Sequence, residues 1–286
     1  MTINNALYLR KAELVVGQKI AATNGPVEPV DAKLFRTRIN FSVNQDTSGN
    51  ANKAKIKVYN LSEESRTFLE QKDLVVFLNV GYETSELSNL FFGDIDAKNG
   101  IHVERSGPDI ITTIEAGDAE KILREANIQI GLAKGATNLQ IIAAAAAKLK
   151  VATSFKTAIK NVIFQSGYSY SGSVKSLLND MGKQAGFEWS IQNGEILIAG
   201  PKETDGQEAV FVSDRSGLIG FPTKTQEKVI FKSLINPKIR PGRAVRLESK
   251  IFLKDSGANV KVEKTDFNGD THEGSWEVKV EGKIIS

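Results

Sequence analysis

The sequence predicts an α+β fold that is mainly β, in which a small α/β module interrupts two β regions. Segments with alternating or continuous apolar residues dominate residues 1–117 and 209–286, whereas apolar residues between them recur at helical spacing. The chain has 286 residues, which is more than one typical core requires. Two domains are therefore expected, with a single large β-rich domain as the alternative.

Composition favours a folded protein without membrane insertion. Hydrophobic residues make up 41% and charged residues 25% of the chain, and no run approaches the roughly 20 apolar residues that a membrane-spanning helix needs. The N-terminus lacks a basic segment followed by an apolar one, and there is no cysteine. We therefore expect synthesis in a reducing cytoplasm, without disulfides or thiolate metal sites.

The first β region contains five clear strand patterns, at residues 35–43, 54–59, 74–82, 89–96 and 110–118. Between the second and third of these strand patterns, the spacing of the apolar residues changes to that of a short helix. Ser62 is its predicted N-cap, and Leu61, Phe68 and Leu69 are predicted to share one face.

The inserted module begins with a predicted helix over residues 119–125, for which Asp118 is the candidate N-cap. Thr137 and Gln140 have capping-box spacing and predict a second helix that extends to Lys150. The predicted buried stripe of that helix comprises Leu139, Ile142, Ala143, Ala146 and Leu149.

A third helix is predicted over residues 173–185, with Gly186 as its C-terminal cap. Its predicted inward residues are Val174, Leu177, Leu178 and Met181. Asn193 and Gly194 then predict a tight hairpin, and residues 200–207 are the expected exit linker.

Four strand patterns follow, near residues 229–235, 244–253, 260–264 and 275–285. They are too few to close a barrel alone, so we expect them to complete the first β sheet or to pair with a neighbouring subunit. The predicted units are residues 1–118, 119–205 and 206–286.

Two turns in the last unit are the most informative features. In LINPKIRPGRAVRL (residues 234–247), Asn236 and Pro237 end one strand, and Pro241 and Gly242 form a turn before the next. In GDTHEGSW (residues 269–276), Gly269, Asp270 and His272 form a turn that leads into a strand starting near Trp276. The sequence of residues 269–273 favours an Asx-type turn over a metal or acid–base site. In such a turn the aspartate carboxylate accepts hydrogen bonds from backbone N–H groups.

No catalytic site is predicted. The chain has two histidines, His102 and His272, which are far apart in sequence. Neighbouring carboxylates such as Asp94 and Asp96 fit turns and caps, and neither a phosphate-binding loop nor a nucleophile elbow is present. We therefore expect no enzyme activity, cofactor or metal.

Basic residues are concentrated between positions 224 and 254, although the net charge of the chain is only +3. This segment contains only two acidic residues, Glu227 and Glu248. Its nine basic residues are Lys224, Lys228, Lys232, Lys238, Arg240, Arg243, Arg246, Lys250 and Lys254. The pattern fits a solvated strand face or a docking surface for an acidic subunit. The candidate interface residues are Lys238, Arg240, Arg243 and Arg246.

Aromatic residues offer a second candidate contact. Tyr168 and Tyr170 lie among small polar residues and predict an exposed contact loop. Trp189 is expected to pack against the helix at residues 173–185; the alternative is a sugar-binding platform formed with the two tyrosines.

The two turn segments resemble the C-terminal barrel of baseplate hub proteins from contractile-tailed bacteriophages, the late control protein D-like family. The segments KIKVYNLSEESR (residues 55–66), LFFGDID (residues 90–96) and IEAGDAEK (residues 114–121) resemble the N-terminal barrel of the same family. The resemblance also covers the helix and hairpin at residues 174–198.

This resemblance implies two barrel-like β domains of the tail-tube type and a non-enzymatic structural role. It implies a homotrimer that forms a pseudo-hexameric ring between a tail tube protein and a spike protein, among other baseplate proteins in the virion. DNA would only pass through the lumen, which we expect not to be strongly basic. The alternatives are a tail-associated cell-wall hydrolase, which would need a catalytic dyad, and a glycan-binding tail component.

Overall fold

The computed structural model describes residues 9–18, 29–96, 100–118, 123, 126–155, 159–192, 195–225, 228–249 and 257–285. The mainly β class is confirmed. The helices in these ranges are α1 (Glu63–Leu69), α2 (Asn138–Leu149) and α3 (Val174–Ala185). The strands are β1 (Arg10–Gln18), β2 (Val30–Phe35), β3 (Ile39–Asp46), β4 (Lys53–Tyr59), β5 (Leu74–Tyr82), β6 (Ser88–Ile95), β7 (Ile101–Ser106), β8 (Asp109–Gly117), β9 (Asn127–Leu132), β10 (Ala136–Thr137), β11 (Ala152–Phe155), β12 (Ile163–Phe164), β13 (Tyr168–Ser173), β14 (Glu188–Gln192), β15 (Glu195–Ala199), β16 (Val210–Ser213), β17 (Leu218–Lys224), β18 (Lys228–Leu234), β19 (Ala244–Glu248), β20 (Ala258–Asp270) and β21 (Trp276–Ile285).

One sheet of 14 strands contains both β regions. Its main path runs β17-β18-β21-β20-β3-β4-β8-β6-β5-β1-β2, with β7 paired to β8 and with β19 between β20 and β16. This path is open: in the described ranges, β2 and β17 are its two ends and no pairing closes either region into a barrel. The barrel-like detail of the prediction is therefore not seen.

The two β regions are joined by the antiparallel pairing of β3 with β20. Phe41 lies opposite Gly269, and Val43 lies opposite Phe267. Apolar side chains from both ends of the chain, such as Ile56 and Phe231, belong to one continuous core. The C-terminal strands thus extend the sheet that the N-terminal strands begin.

The inserted module has its own core beneath α2 and α3. One of its sheets has the strand order β11-β15-β14, and two further pairs join β9 to β13 and β10 to β12. The predicted caps are confirmed: Thr137 and Gln140 form the capping box of α2, and Gly186 ends α3 in the left-handed region. Ser173, which was predicted as the first residue of this helix, is its N-cap. In the first β region, Ser62 caps α1 as predicted.

The predicted stripe of α2 was partly wrong. Leu139 is 42% exposed and Ala143 is also exposed, while Ile141 and Ala145 are fully buried. The helix begins at Asn138, whose buried side chain fixes a stripe offset from the predicted one. Apart from Leu123, the predicted helix at residues 119–125 lies outside the described residues. The Asn193–Gly194 turn also lies outside them, although Gln192 and Glu195 are paired as hairpin neighbours.

Buried polar side chains join the module to the main sheet. Asn52 donates to the carbonyl of Ile191 (3.2 Å) and to Gln192 Oε1 (3.1 Å). On β20, the buried Lys261 Nζ donates to Glu188 Oε2 (2.9 Å) and to the carbonyls of residues 200 and 201 (2.9 and 3.0 Å). Because all of these groups find partners, the module is held in one orientation.

Candidate assembly surfaces

The turn after β20 is an Asx-type turn, as predicted. Asp270 Oδ1 accepts from the backbone N–H groups of His272 (2.9 Å) and Glu273 (3.3 Å). The side chain of His272 is exposed beside Thr271. In the described residues, no group of three His, Cys, Asp or Glu side chains is placed to hold a metal ion. The aspartate therefore shapes the turn.

Two arginines from the N-terminal region hold this turn. Arg38 Nη2 donates to Asp270 Oδ2 (2.9 Å) and to Glu273 Oε1 (2.8 Å), and Arg10 Nη1 donates to the carbonyls of Asp270 (3.1 Å) and Gly274 (2.9 Å). Sequence reasoning missed both arginines, because nothing in their local pattern points to a partner more than 230 residues away.

The electrostatics of the turn favour the ion pair. Burial works to raise the pKa of the Asp270 carboxyl, but the hydrogen bonds from Arg38 and from the two backbone N–H groups hold this pKa below its ordinary value. The same hydrogen bond raises the pKa of Arg38. Both groups are charged across the physiological range.

Close packing surrounds the start of the turn. A Cβ atom at Gly269 would lie 2.3 Å from the Phe41 ring, so only glycine fits there. Trp276 packs edge-on against Phe41 and Tyr82, with ring centroids 5.6 and 6.4 Å away. The Tyr82 hydroxyl donates to the carbonyl of Ile235 (3.0 Å), and burial raises its pKa to about 12.

The other family-like segment forms two linked turns. Asn236 Oδ1 accepts from the N–H of Lys238 (3.0 Å), which places Pro237 inside an Asx-type turn. Gly242 has φ +85° and donates its N–H to the carbonyl of Val262 (2.9 Å). These residues position the chain between β18 and β19, and their side chains are structural.

The four basic candidates lie in different environments. Lys238 and Arg246 are exposed, with Arg246 beside Glu248 (3.3 Å). Arg240 lines a cleft, where burial and the neighbouring Arg243 lower its pKa. Arg243 is only 7% exposed and pairs with Asp205 (2.7 Å), so its guanidinium is not available to another subunit. Lys250 and Lys254 lie outside the described residues.

Glutamates from neighbouring strands neutralise other parts of the basic segment. Lys232 pairs with Glu277 (2.8 Å), and Lys228 pairs with Glu281 (2.5 Å). These pairs belong to a polar face, formed by the outward side chains of β18, β21, β20, β3 and β4. Other members of this face are Lys283, Glu263, Lys264, Asp266, Asn268, Ser42, Asn44, Lys55 and Lys57. Sequence reasoning missed this balance because the acids lie on other strands.

The tyrosine pair does not form a loop. Tyr168 and Tyr170 belong to β13, which pairs with β9, and both pack against the module core. Tyr168 also contacts the ring of Phe164, with centroids 4.7 Å apart, and Tyr170 donates to the carbonyl of Ser173 (2.9 Å). The predicted exposed contact is corrected to a half-buried structural one.

Trp189 packs against α3 as predicted. It is 5% exposed, and its indole N–H donates to Asn179 Oδ1 (2.9 Å) on that helix. Gly49 covers the indole ring, since a Cβ there would lie 2.8 Å from it. A ring in this position cannot stack on a sugar, which removes the platform that the glycan-binding alternative required.

Comparison with known proteins identifies the family. Residues 32–282 match the family described as baseplate hub gp41. The chain belongs to this family. The resemblance seen in the turn segments is thereby confirmed, and the protein is a structural component of a phage-type tail baseplate. No curated protein sequence matches the chain.

Solved structures share the fold of this baseplate hub chain at low identity. The tail protein of Neisseria meningitidis MC58 superposes with a TM-score of 0.64 at 12% identity, covering 96% of this chain and 97% of its own. The 43 kDa tail protein of prophage MuSo2 from Shewanella oneidensis gives 0.65 at 10% identity, with 95% and 97% covered. The Escherichia coli c3393 protein gives 0.59 at 11% identity, with 87% and 74% covered; it is described as a component of the type VI secretion system, structurally similar to the T4 tail proteins gp27 and gp5. None of the helices in the described ranges of the hub chain has the length and hydropathy needed to span a bilayer.

Proposed function

We propose that three copies of this hub protein form a pseudo-hexameric ring that joins a hexameric tail tube to a trimeric spike. The observation that carries the proposal is the joining of both β regions in one sheet through β3 and β20. Each copy then presents two β walls side by side. Three copies supply six such walls, which allows a threefold ring to contact a sixfold tube.

The proposed lumen is lined by the polar face. Lysines on this face are interspersed with carboxylates and with neutral side chains such as Ser42, Asn44 and Asn268. Nucleic acid binds tightly where many phosphates are neutralised by unpaired cations. A face on which most of the lysines already have a carboxylate partner supports passage of DNA without retention.

The remaining partners follow from the same arrangement. Lys238 and Arg246 are exposed and are proposed to face acidic residues of another baseplate subunit. Partnership with the spike is supported by the fold shared with c3393, which is itself described as similar to gp27 and gp5. The proposal places the protein in the virion after synthesis in the host cytoplasm, and it assigns no catalytic step.

Copy number tests the ring. The chain is sedimented alone and with the tube and spike proteins of the same particle, and the stoichiometry of each complex is measured. Three hub copies per complex are expected, and top views in electron microscopy should show six similar lobes. Complexes with one, two or four hub copies would overturn the ring.

A further inference from the structure

An apolar row lies on the outer face of the sheet near its β2 end. Leu34, Val15, Phe77 and Phe92 are successive cross-strand neighbours on β2, β1, β5 and β6. The alternate residues of β5 point into the main core, so this row points away from it. The Phe77 and Phe92 rings are in contact, with centroids 4.6 Å apart.

The row is open at both ends. Leu34, on the edge strand, is 45% exposed. At the other end, the half-buried Phe77 and Phe92 line a cleft of about 400 Å³, whose remaining lining combines Leu197 and Pro241 with polar residues such as Arg240 and Asp205. A contiguous apolar strip of this kind on an outer sheet face is typical of an interaction site.

The opposite end of the same sheet carries an isolated aromatic side chain. Phe221, on edge strand β17, is 66% exposed. The next residue, Pro222, has no N–H, and the pairing of β17 with β18 is irregular between Ile219 and Thr223. Both features weaken any regular ladder at this edge, which favours contact through side chains.

The strand order determines how two copies can bring these ends together. The main path contains 11 strands, and each neighbouring pair on it is antiparallel. β17 and β2, which are different strands, form the two ends of this path. A contact between the β17 end of one copy and the β2 end of the next is therefore head to tail, which is the kind of contact that closes into a ring.

We infer that Phe221 of one copy seats on the apolar row of the next copy. This inference rests on the proposed ring and names the contact that closes it. Charge is complementary at the same two edges, because exposed Lys224 follows Phe221 on β17 and exposed Asp31 precedes Leu34 on β2. In the described ranges, neither of these charged residues has an ion pair of its own.

Crosslinking tests the contact directly, because the chain has no cysteine. Thr223→Cys and Ala32→Cys place thiols beside Phe221 and Leu34 at exposed positions and leave the contact side chains in place. A short bis-maleimide should crosslink a mixture of the two variants into heterodimers and leave each variant alone uncrosslinked. Val103→Cys, exposed on β7, is the matched control and should not crosslink with either. Crosslinking of position 223 to itself would overturn the inference.

Charge substitutions provide an independent measurement. Phe221→Asp and Leu34→Asp should each convert the trimer to monomers with unchanged circular dichroism. A mixture of the two variants should stop at dimers. Only the Phe221→Asp copy has an intact apolar row, and only the Leu34→Asp copy has an intact Phe221, so a single contact can form. If the wild type is trimeric and both variants remain trimeric, this contact is wrong and the ring stands. A wild type that is monomeric alone, does not reach three copies in complexes with the tube and spike proteins, and gives no crosslink between positions 223 and 32 overturns both proposals.

Discussion

Arg38 Nη2 and Asp270 Oδ2 lie 2.9 Å apart, although the two residues are separated by 232 positions in the chain. The pair ties the loop before β3 to the turn after β20, next to the ladder that joins the two β regions. The ion pair is therefore part of the connection between N- and C-terminal β structure.

Loss of this pair should destabilise the fold. Arg38→Ala leaves the buried Asp270 carboxylate without its charged donor, and we expect the free energy of unfolding to fall by about 2 kcal/mol. Urea denaturation of the purified chain measures this. Arg36→Ala is the control, because Arg36 is exposed and pairs with Glu13 at the surface, where such pairs contribute little. Equal losses for the two variants would contradict the role assigned to Arg38.

Acid sensitivity should depend on Asp270. Its folded-state pKa is lowered from an unfolded value of about 3.9, so the ionised group stabilises the fold above that pH. This contribution is lost as the pH falls through the folded pKa. The difference in urea midpoint between wild type and Asp270→Asn should be largest near neutral pH and should shrink below about pH 4. Glu273→Gln, at an exposed position, should show a smaller difference in urea midpoint from wild type. If the difference for Asp270→Asn stays constant with pH, the ionised Asp270 carboxylate is not the source of the acid sensitivity.

Gly269 should not tolerate a methyl group. The added Cβ would meet the Phe41 ring at 2.3 Å, and we expect Gly269→Ala to lose about 2 kcal/mol of stability. Gly131→Ala is matched, since no atom lies within 4 Å of its Cβ position. Thermal unfolding of both variants checks the prediction, and Phe41→Leu should partly rescue Gly269→Ala. A wild-type melting temperature for Gly269→Ala would show that the ring can move aside.

Lys261 should determine how firmly the module is held. Lys261→Met leaves Glu188 and two carbonyl groups without their donor, and we expect a loss of about 3 kcal/mol. Hydrogen exchange should accelerate first in β14 and at Gly200. Lys264→Met, on the exposed side of β20, should leave exchange unchanged there. Uniform acceleration throughout the chain would contradict a local role.

Local signals predicted the secondary structure well. The 74–82 strand and the caps Ser62 and Thr137 follow from alternation and from side-chain chemistry within a few residues. Strand β1 was not among the predicted strands, and β20 extends well beyond the predicted 260–264 segment. These strands depend on partners distant in sequence, since β1 lies between β2 and β5, and β20 pairs with β3.

The candidate surfaces were harder to predict. The Asx turn at Asp270 is local and was predicted correctly. The burial of Arg243 depends on Asp205 in another segment, and the neutralisation of Lys232 depends on Glu277 in another strand. A count of charged residues along one segment does not show which oppositely charged residues the fold brings next to them from other segments.

The position of β20 and β21 in the sheet sets an order of events during synthesis. Residues 258–285 supply the strands that separate β18 from β3, so the main core is incomplete until these residues have left the ribosome. Truncated chains would lack the bridge between the two regions. In the proposed ring, a copy could therefore be recruited only after residues 258–285 have been synthesised, which keeps molecules without this bridge out of the growing particle.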